Sequence, residues 1–246
     1  MSASVSICLT AYRRPKQLES TLESIVRQNY KPLEIIVVED GCDGQTEFIA
    51  KRFGARYIHK PRPDRPVFQN PARAHNIGIR AAQNDFVILQ GAEVRYTALT
   101  DIAAIVAPIV DDPLAVVSPC VQSLDENGNF KEWYAHPTES HRAGWIVNFC
   151  LGVRRERLLA INGFDESFPG YGFEDDFLMQ CLRRNGARIQ FAKGATVQHQ
   201  WHGDRSDYNM GEGMDAGHPH FKALIASIDR GERPPIANID KNWGQL

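Results

Sequence analysis

Leu33-Glu34-Ile35-Ile36-Val37-Val38-Glu39-Asp40-Gly41 is the stretch on which the fold turns. Its first six residues are nearly all apolar and rich in β-branched side chains, the pattern of a strand buried on both faces of a sheet. It then breaks into a polar turn, Glu39-Asp40-Gly41-Cys42-Asp43-Gly44. A strand covered on both faces needs helices above and below it, and its neighbours supply them. Val5-Ser6-Ile7-Cys8-Leu9-Thr10 is a short apolar strand. Pro15 suits the first turn of a helix whose buried stripe is Leu18, Leu22, Ile25 and Val26. Thr46 to Phe53 reads as a short helix, Arg56-Tyr57-Ile58 as a strand and Ala72 to Ala82 as a helix. Asp85-Phe86-Val87-Ile88-Leu89 is a fourth strand, ending in Gln90-Gly91-Ala92-Glu93.

This β-α-β-α-β-α-β order predicts an α/β fold with a mostly parallel, doubly wound sheet and right-handed crossovers. Ligands of such sheets bind beyond the carboxyl ends of the strands. Thr10, Tyr12, Asp40 and Glu93 all fall there. No GxGxxG and no GxxxxGK[ST] is present, so the usual dinucleotide and P-loop cradles are absent.

The second half is less regular. Ala115 to Val121 is a strand, and Asp125-Glu126-Asn127-Gly128-Asn129 signals a hairpin turn. Gly144 to Val153 is apolar, and Arg154 to Ile161 is a short helix. Arg188 to Ala192 and Ala195 to His199 are two strand candidates. From about Asp204 the chain is polar and turn-rich, and an irregular tail is expected over 204–246, with a short helix near Phe221 to Ile228. His59-Lys60-Pro61-Arg62-Pro63-Asp64-Arg65-Pro66 is a stiff basic loop, suited to phosphates or to plain solvent exposure.

Between these pieces lies Tyr171-Gly172-Phe173-Glu174-Asp175-Asp176-Phe177-Leu178. Three acids open a helix whose apolar stripe is Phe177, Leu178, Cys181 and Leu182 and which closes on Arg183-Arg184-Asn185-Gly186. Acids at the start and bases at the end match the helix dipole. Three in a row exceed what a dipole needs, and crowded like charges raise one another's pKa, which suits a proton acceptor.

At 246 residues and a net charge of −2, the chain is long enough for one sizeable core and lacks the basic excess of a general nucleic-acid binder. No apolar run reaches the roughly 18 residues of a membrane span. Met1-Ser2-Ala3-Ser4 enters a strand directly, so no signal peptide is expected. Five scattered cysteines form no CxxC pair and read as reduced, in keeping with a cytoplasmic protein.

The order of these pieces resembles the family 2 glycosyltransferases of the GT-A fold, over roughly residues 4 to 203. Val5 to Tyr12 resembles the family's opening strand and Thr-x-Tyr turn. Val37-Val38-Glu39-Asp40-Gly41 resembles "VVDDGS", Ala72 to Ile79 resembles "ARNxGI", Asn162 to Glu166 resembles "GGFDE", and Gly170 to Asp176 is similar to "GWGGED". The resemblance implies a GT-A domain over 1–203, with a nucleotide-sugar half (1–95) and a less regular acceptor half (96–203). It implies transfer of a sugar from a nucleotide-diphosphate sugar, UDP-linked by expectation, to a hydroxyl of a glycan or glycoconjugate, as in polysaccharide biosynthesis, by single displacement with inversion. The same shape as a non-catalytic sugar-binding domain is the alternative.

Residue by residue, the resemblance implies that Thr10, Tyr12, Asp40 and Arg73 contact the nucleotide, Asp40 through a base N–H. It implies Asp175 as the general base and Glu174 as the group that holds the acceptor or orients the base, with Asp176 capping the helix. The family usually carries Asp-x-Asp after the fourth strand to hold Mn²⁺ or Mg²⁺. Here that run is Gly91-Ala92-Glu93, leaving Glu93 alone, with His199 or His202 as a further ligand. Three residues apart on an extended segment, the two imidazoles point to opposite faces, so one of them is expected to bind unless the chain turns. Trp145, Asn148 and Trp201 are candidates for the acceptor, although the tryptophans suit a core equally well.

Overall fold

The computed structural model describes residues 3–31, 33–41, 45–61, 70–139, 149–170, 172–203, 210–239 and 241–246. In chain order the strands are β1 (Val5–Ala11), β2 (Leu33–Asp40), β3 (Arg56–Lys60), β4 (Phe86–Gly91), β5 (Val94–Tyr96), β6 (Ala115–Leu124), β7 (Phe130–Ala135), β8 (Cys150–Arg154) and β9 (Arg188–His199). The helices are α1 (Pro15–Val26), α2 (Gln45–Arg52), α3 (Ala72–Ala81), α4 (Asp101–Asp111), α5 (Arg155–Ala160), α6 (Glu174–Arg184) and α7 (Met210–Asp229).

The nine strands among the described residues join one sheet in the order β3-β2-β1-β4-β8-β6-β9-β5, with β7 on β6. The first four strands are mutually parallel, as expected. Their alternating side chains feed two separate cores. Ile7, Leu9 and Val37 point into one with Leu18, Leu22 and Ile25 of α1. Cys8, Ile36 and Val38 point into the other with Ile77 and Ile79 of α3 and Phe177 and Leu178 of α6. A period of two in the strands thus meets helical stripes on both faces, which is why β2 carries almost no polar residue before its end. Burial pushes the Cys8, Cys150 and Cys181 thiols up to about 12, so they behave as small apolar groups.

The other half curls. β8 runs antiparallel to β4 and β6, and β6 runs parallel to β9. The two strands anticipated over 188–199 are one strand, β9. Its register against β6 slips between Ser118 and Cys120, and Gly194 takes φ +79°, a conformation that suits glycine. The expected hairpin at Asp125 to Asn129 joins β6 to β7. α4 has no forecast in the sequence reading. Pro108 lies inside it and masks the helical pattern.

The tail also differs from expectation. Where an irregular segment with a helix over Phe221 to Ile228 is forecast, α7 runs for 20 residues and lays Phe221, Leu224, Ile225 and Ile228 against the α3–α6 core. The chain then returns, burying Ala237 and Trp243, and Gly244 N–H donates to Glu166 Oε1 at 2.7 Å. Pro219 inside α7 obscures the helix in the sequence. No helix among the described residues is long and apolar enough to cross a membrane.

Candidate active site

The parallel strands end together. Thr10 of β1 is in register with Val38 of β2 and Gly91 of β4. Asp40 ends β2 two residues further on, at the same carboxyl edge, and Tyr12 directly follows the last residue of β1. Asp40 is buried and receives Lys60 Nζ of β3 at 2.6 Å; both side chains are nearly inaccessible. A buried carboxylate needs such a partner. Lys60 sits in the basic run noted in the sequence, where nothing distinguishes it from its exposed neighbours. Arg13, next to Tyr12, takes φ +51° and places its guanidinium 5.3 Å from the Tyr12 ring centroid. A non-glycine residue in that region marks a turn fixed by its surroundings.

Glu93 follows β4 and precedes β5. β5 pairs antiparallel with β9 so that Val94 faces His199, and Gln200 N–H donates to the Glu93 carbonyl at 2.9 Å. These bonds bring Glu93 and His199 together, with Nε2 of His199 at 3.6 Å from Oε1 of Glu93. β9 ends at His199 and the chain bends, carrying His202 back so that the two imidazole centroids are 5.1 Å apart. One ligand atom from each of Glu93, His199 and His202 lies within 4.8 Å of the others. Both histidines therefore reach Glu93, where the extended-chain argument allowed one. The bend beyond His199 is the reason.

The Arg14 guanidinium forms an ion pair with Glu93 at 2.6 Å. Burial works to raise the Glu93 carboxyl, but Arg14 and the two imidazoles outweigh it and hold the group at about 2. Burial lowers His199 to about 4 against the pull of Glu93, and lowers His202 in the same way, so both rings are neutral at neutral pH and free to act as ligands. Nδ1 of His202 is buried with no hydrogen-bond partner among the described residues. The missing first acid has a structural counterpart. A Cβ on Gly91 would stand 2.5 Å from Oε1 of Glu93, because the longer glutamate folds back over the glycine.

α6 begins at Glu174 behind Phe173, which caps it in a left-handed conformation with φ +68°. The Phe173 ring packs against His218 and Phe221 of α7. Glu174 is buried, while Asp175 and Asp176 are half-buried. Asn70, just before α3, donates Nδ2 to Glu174 Oε2 at 2.9 Å and to the Gly170 carbonyl at 2.6 Å. Burial first, and the Asp175 charge second, push the Glu174 carboxyl up to about 8. It is a neutral acid at pH 7. The Asp175 carboxylate accepts the Asp176 backbone N–H at 2.9 Å. Phe173 is the N-cap residue of α6, and its side chain makes no cap bond.

The remaining expected residues divide. Arg73 is exposed and donates Nε–H to the Gln245 carbonyl at 3.0 Å, on the outside of α3. His75 of α3, which the sequence reading passes over, is buried and stacks on Phe164 at 4.6 Å. Trp201 is half-buried beside His202, its carbonyl held by Gln17 Nε2 at 2.8 Å. Trp145 and Asn148 lie outside the described residues. Asn70, Arg14 and Lys60, which pair with Glu174, Glu93 and Asp40, are the partners that sequence reasoning missed. Each needs a partner from a distant element to acquire meaning.

Comparison with known proteins places the chain. The family described as Glycosyl transferase family 2 matches residues 6–181. The pre-mycofactocin glycosyltransferase of Mycobacterium tuberculosis is 25% identical over 183 residues, 68% of this chain and 37% of that one. Hyaluronan synthase of Pasteurella multocida is 30% identical over 117 residues, 47% of this chain and 12% of that one. The chain thus spans well under half the length of either relative. S. aureus TarS 1-349 in complex with UDP-GlcNAc superposes with a TM-score of 0.65 at 15% identity, over 83% of this chain and 60% of that chain. Mannosyltransferase PcManGT from Pyrobaculum calidifontis, in complex with GDP-Man and Mn2+, gives 0.61 at 18% identity, over 80% and 57%. These superpositions show a shared GT-A fold. With the family match running from β1 into α6, the chain belongs to Glycosyl transferase family 2, a family of sugar-transferring enzymes.

Proposed function

We propose that this chain transfers a sugar from a nucleotide-diphosphate sugar, UDP-linked in the first instance, to a hydroxyl of a glycan or glycoconjugate, with inversion at the anomeric carbon. The observation that carries this is the trio Glu93, His199 and His202, gathered at the carboxyl edge of the strands that hold Thr10 and Asp40. One carboxylate and two neutral imidazoles suit a divalent cation, and the imidazoles favour Mn²⁺ over Mg²⁺. The partnerless buried Nδ1 of His202 fits the same assignment. When bound there, such an ion supplies charge stabilisation to the departing diphosphate.

The chain's own residues divide the remaining work. Thr10 and Tyr12 line the nucleoside, and Asp40 accepts the base N–H, steadied by Lys60. Arg14, paired with Glu93, stands ready to turn toward phosphate oxygens. The two acids of α6 take different roles because their environments differ. Glu174, neutral at pH 7, holds an acceptor hydroxyl by hydrogen bonding. Asp175, half-exposed, takes the proton as that hydroxyl attacks, a role worth roughly 10²–10⁴ in rate. Trp201 offers a face to the acceptor sugar. TarS and PcManGT, crystallised with UDP-GlcNAc and with GDP-Man, lend support by fold alone. A cytoplasmic setting belongs to the same proposal.

The test is a donor panel. UDP-, GDP-, CMP- and dTDP-sugars are titrated with Mn²⁺ and with chelator, and slow donor hydrolysis is followed. Binding and hydrolysis of one nucleotide class, weakened by chelator, support the reading. No binding in any arm refutes it.

A further inference from the structure

We infer that His75 is a donor-binding residue of this site, hydrogen-bonded through Nδ1 to the ribose–phosphate part of the nucleotide. The inference rests on the donor site proposed above. It begins with register. Gly78 of α3 packs directly on the sheet, its missing Cβ position 3.1 Å from Cβ of Cys8 and 3.6 Å from Cγ2 of Val38. One helical turn earlier, on the same face of α3, is His75. Two residues onward along each strand, on the same face of the sheet, are Thr10 and Asp40. α3 runs back against the strands, so His75 stands over the strand ends where the nucleotide is placed. Arg73, two residues away, is turned about 200° around the helix and faces outward.

The electrostatics agree with this placement. Both Asp40 and Glu93 act on the His75 imidazole, one from the base end of the site and one from the metal end. The part of a nucleotide that spans base and cation is its ribose and first phosphate.

The side chain itself is built for a partner. His75 is 7% exposed, and its Nδ1 is buried with no hydrogen-bond partner among the described residues. Buried polar atoms without a partner are rare and call for an explanation. The ring cannot easily turn to find one. It stacks on Phe164 at 4.6 Å and 17°. Phe164 is fixed in turn by Asn76, which accepts its N–H at 2.8 Å and donates to its carbonyl at 2.9 Å. Burial lowers the imidazole to about 4, so at neutral pH it is uncharged and offers one N–H and one lone pair. Such a group meets phosphate or ribose oxygens without needing a counter-charge. A core histidine kept only for packing would be replaced by phenylalanine at no cost to ligand binding.

The experiment uses the whole chain with UDP and GDP as probes, with uridine and guanosine as controls. Dissociation constants are measured for wild type, His75→Phe and His75→Asn, and nucleotide-free melting is recorded for each. His75→Phe keeps the stack on Phe164 and removes Nδ1. His75→Asn keeps a polar atom close to the Nδ1 position. The expected result is at least a 10-fold loss of nucleoside diphosphate affinity in His75→Phe, recovery to within about 3-fold of wild type in His75→Asn, and a clearly smaller effect on the nucleosides. Equal affinity of wild type and His75→Phe overturns the inference and leaves the donor site standing. Absence of nucleotide binding by wild type overturns the donor site and this inference with it. Nitrogen NMR of histidine-labelled wild type needs no variant to fold: a shift of the His75 Nδ1 resonance on adding the nucleotide supports the hydrogen bond, and an unmoved resonance contradicts it.

Discussion

Nδ2 of Asn70 lies 2.9 Å from Oε2 of Glu174, and this bond fastens the start of α3 to the start of α6. The two ends belong to different halves of the sheet. One opens the helix that carries His75, and the other carries the acids. Asn70 also anchors its own helix, accepting the Ala72 N–H at 2.9 Å. Asn70→Ala is therefore expected to leave Glu174 buried with one partner fewer. Losing a bond of this kind costs about 1–3 kcal/mol. Assays with saturating donor should show kcat/KM for the acceptor falling by about 10-fold or more, with donor affinity little changed. An unaltered kcat/KM would separate Asn70 from the site.

Glu174 makes stability depend on pH. Its folded pKa is raised to about 8 from an unfolded value near 4.5. The folded state thus holds a proton that the unfolded state has released between those values. Stability from this group is complete below about 4.5 and is lost as pH rises through about 8. Glu174→Gln removes the loss. Denaturant unfolding of the variant and wild type should diverge with rising pH, the variant gaining on the order of 3 kcal/mol relative to wild type between pH 5 and 9. Parallel curves would mean that the carboxyl is not buried as described.

Arg14 and a cation compete for one carboxylate. Arg14 pairs with Glu93 at 2.6 Å, and Glu93 is the only acid of the trio proposed to hold the cation. Arg14→Ala should tighten Mn²⁺ binding in the absence of nucleotide by about 5-fold, since freeing a partly buried ion pair is worth about 1 kcal/mol. Glu93→Ala should abolish it. Titration calorimetry reads both, and weaker Mn²⁺ binding in Arg14→Ala would assign the arginine a supporting role instead.

The Lys60–Asp40 pair is buried on both sides. Removing one partner weakens the neutralisation of a buried charge, at a cost of about 3–5 kcal/mol. Lys60→Met should lower stability by that amount, and Lys60→Met with Asp40→Asn should recover most of it. A single variant as stable as wild type would show that Asp40 is satisfied by other means.

The halves of the chain differ in how openly the sequence declares them. β1 to β4 are legible because each is an apolar run set between helical stripes, and their order alone dictates parallel pairing. Asp40 and Thr10 follow, since strand ends are where polar residues of such sheets gather. The curled half is harder. β9 hides its continuity in a bulge at Gly194, and α4 and α7 each contain a proline that argues against a helix. The trio of Glu93, His199 and His202 is half-visible: its members stand out as residue types, but the bend that turns His202 back is a tertiary feature. His75, Asn70 and Lys60 have no local signature, because their significance comes from Phe164, Glu174 and Asp40, each contributed by another element.

In the proposed reaction a carboxylate at the start of α6 removes the acceptor's proton while the nucleotide sugar is held elsewhere. The most direct measurement compares wild type and Asp175→Asn with the donor identified from the panel, recording donor affinity and turnover on the same preparations. Asp175→Asn should bind the donor with a dissociation constant within about 3-fold of wild type while its turnover falls by roughly 10²–10⁴. Turnover that survives the substitution, with binding intact, would contradict it.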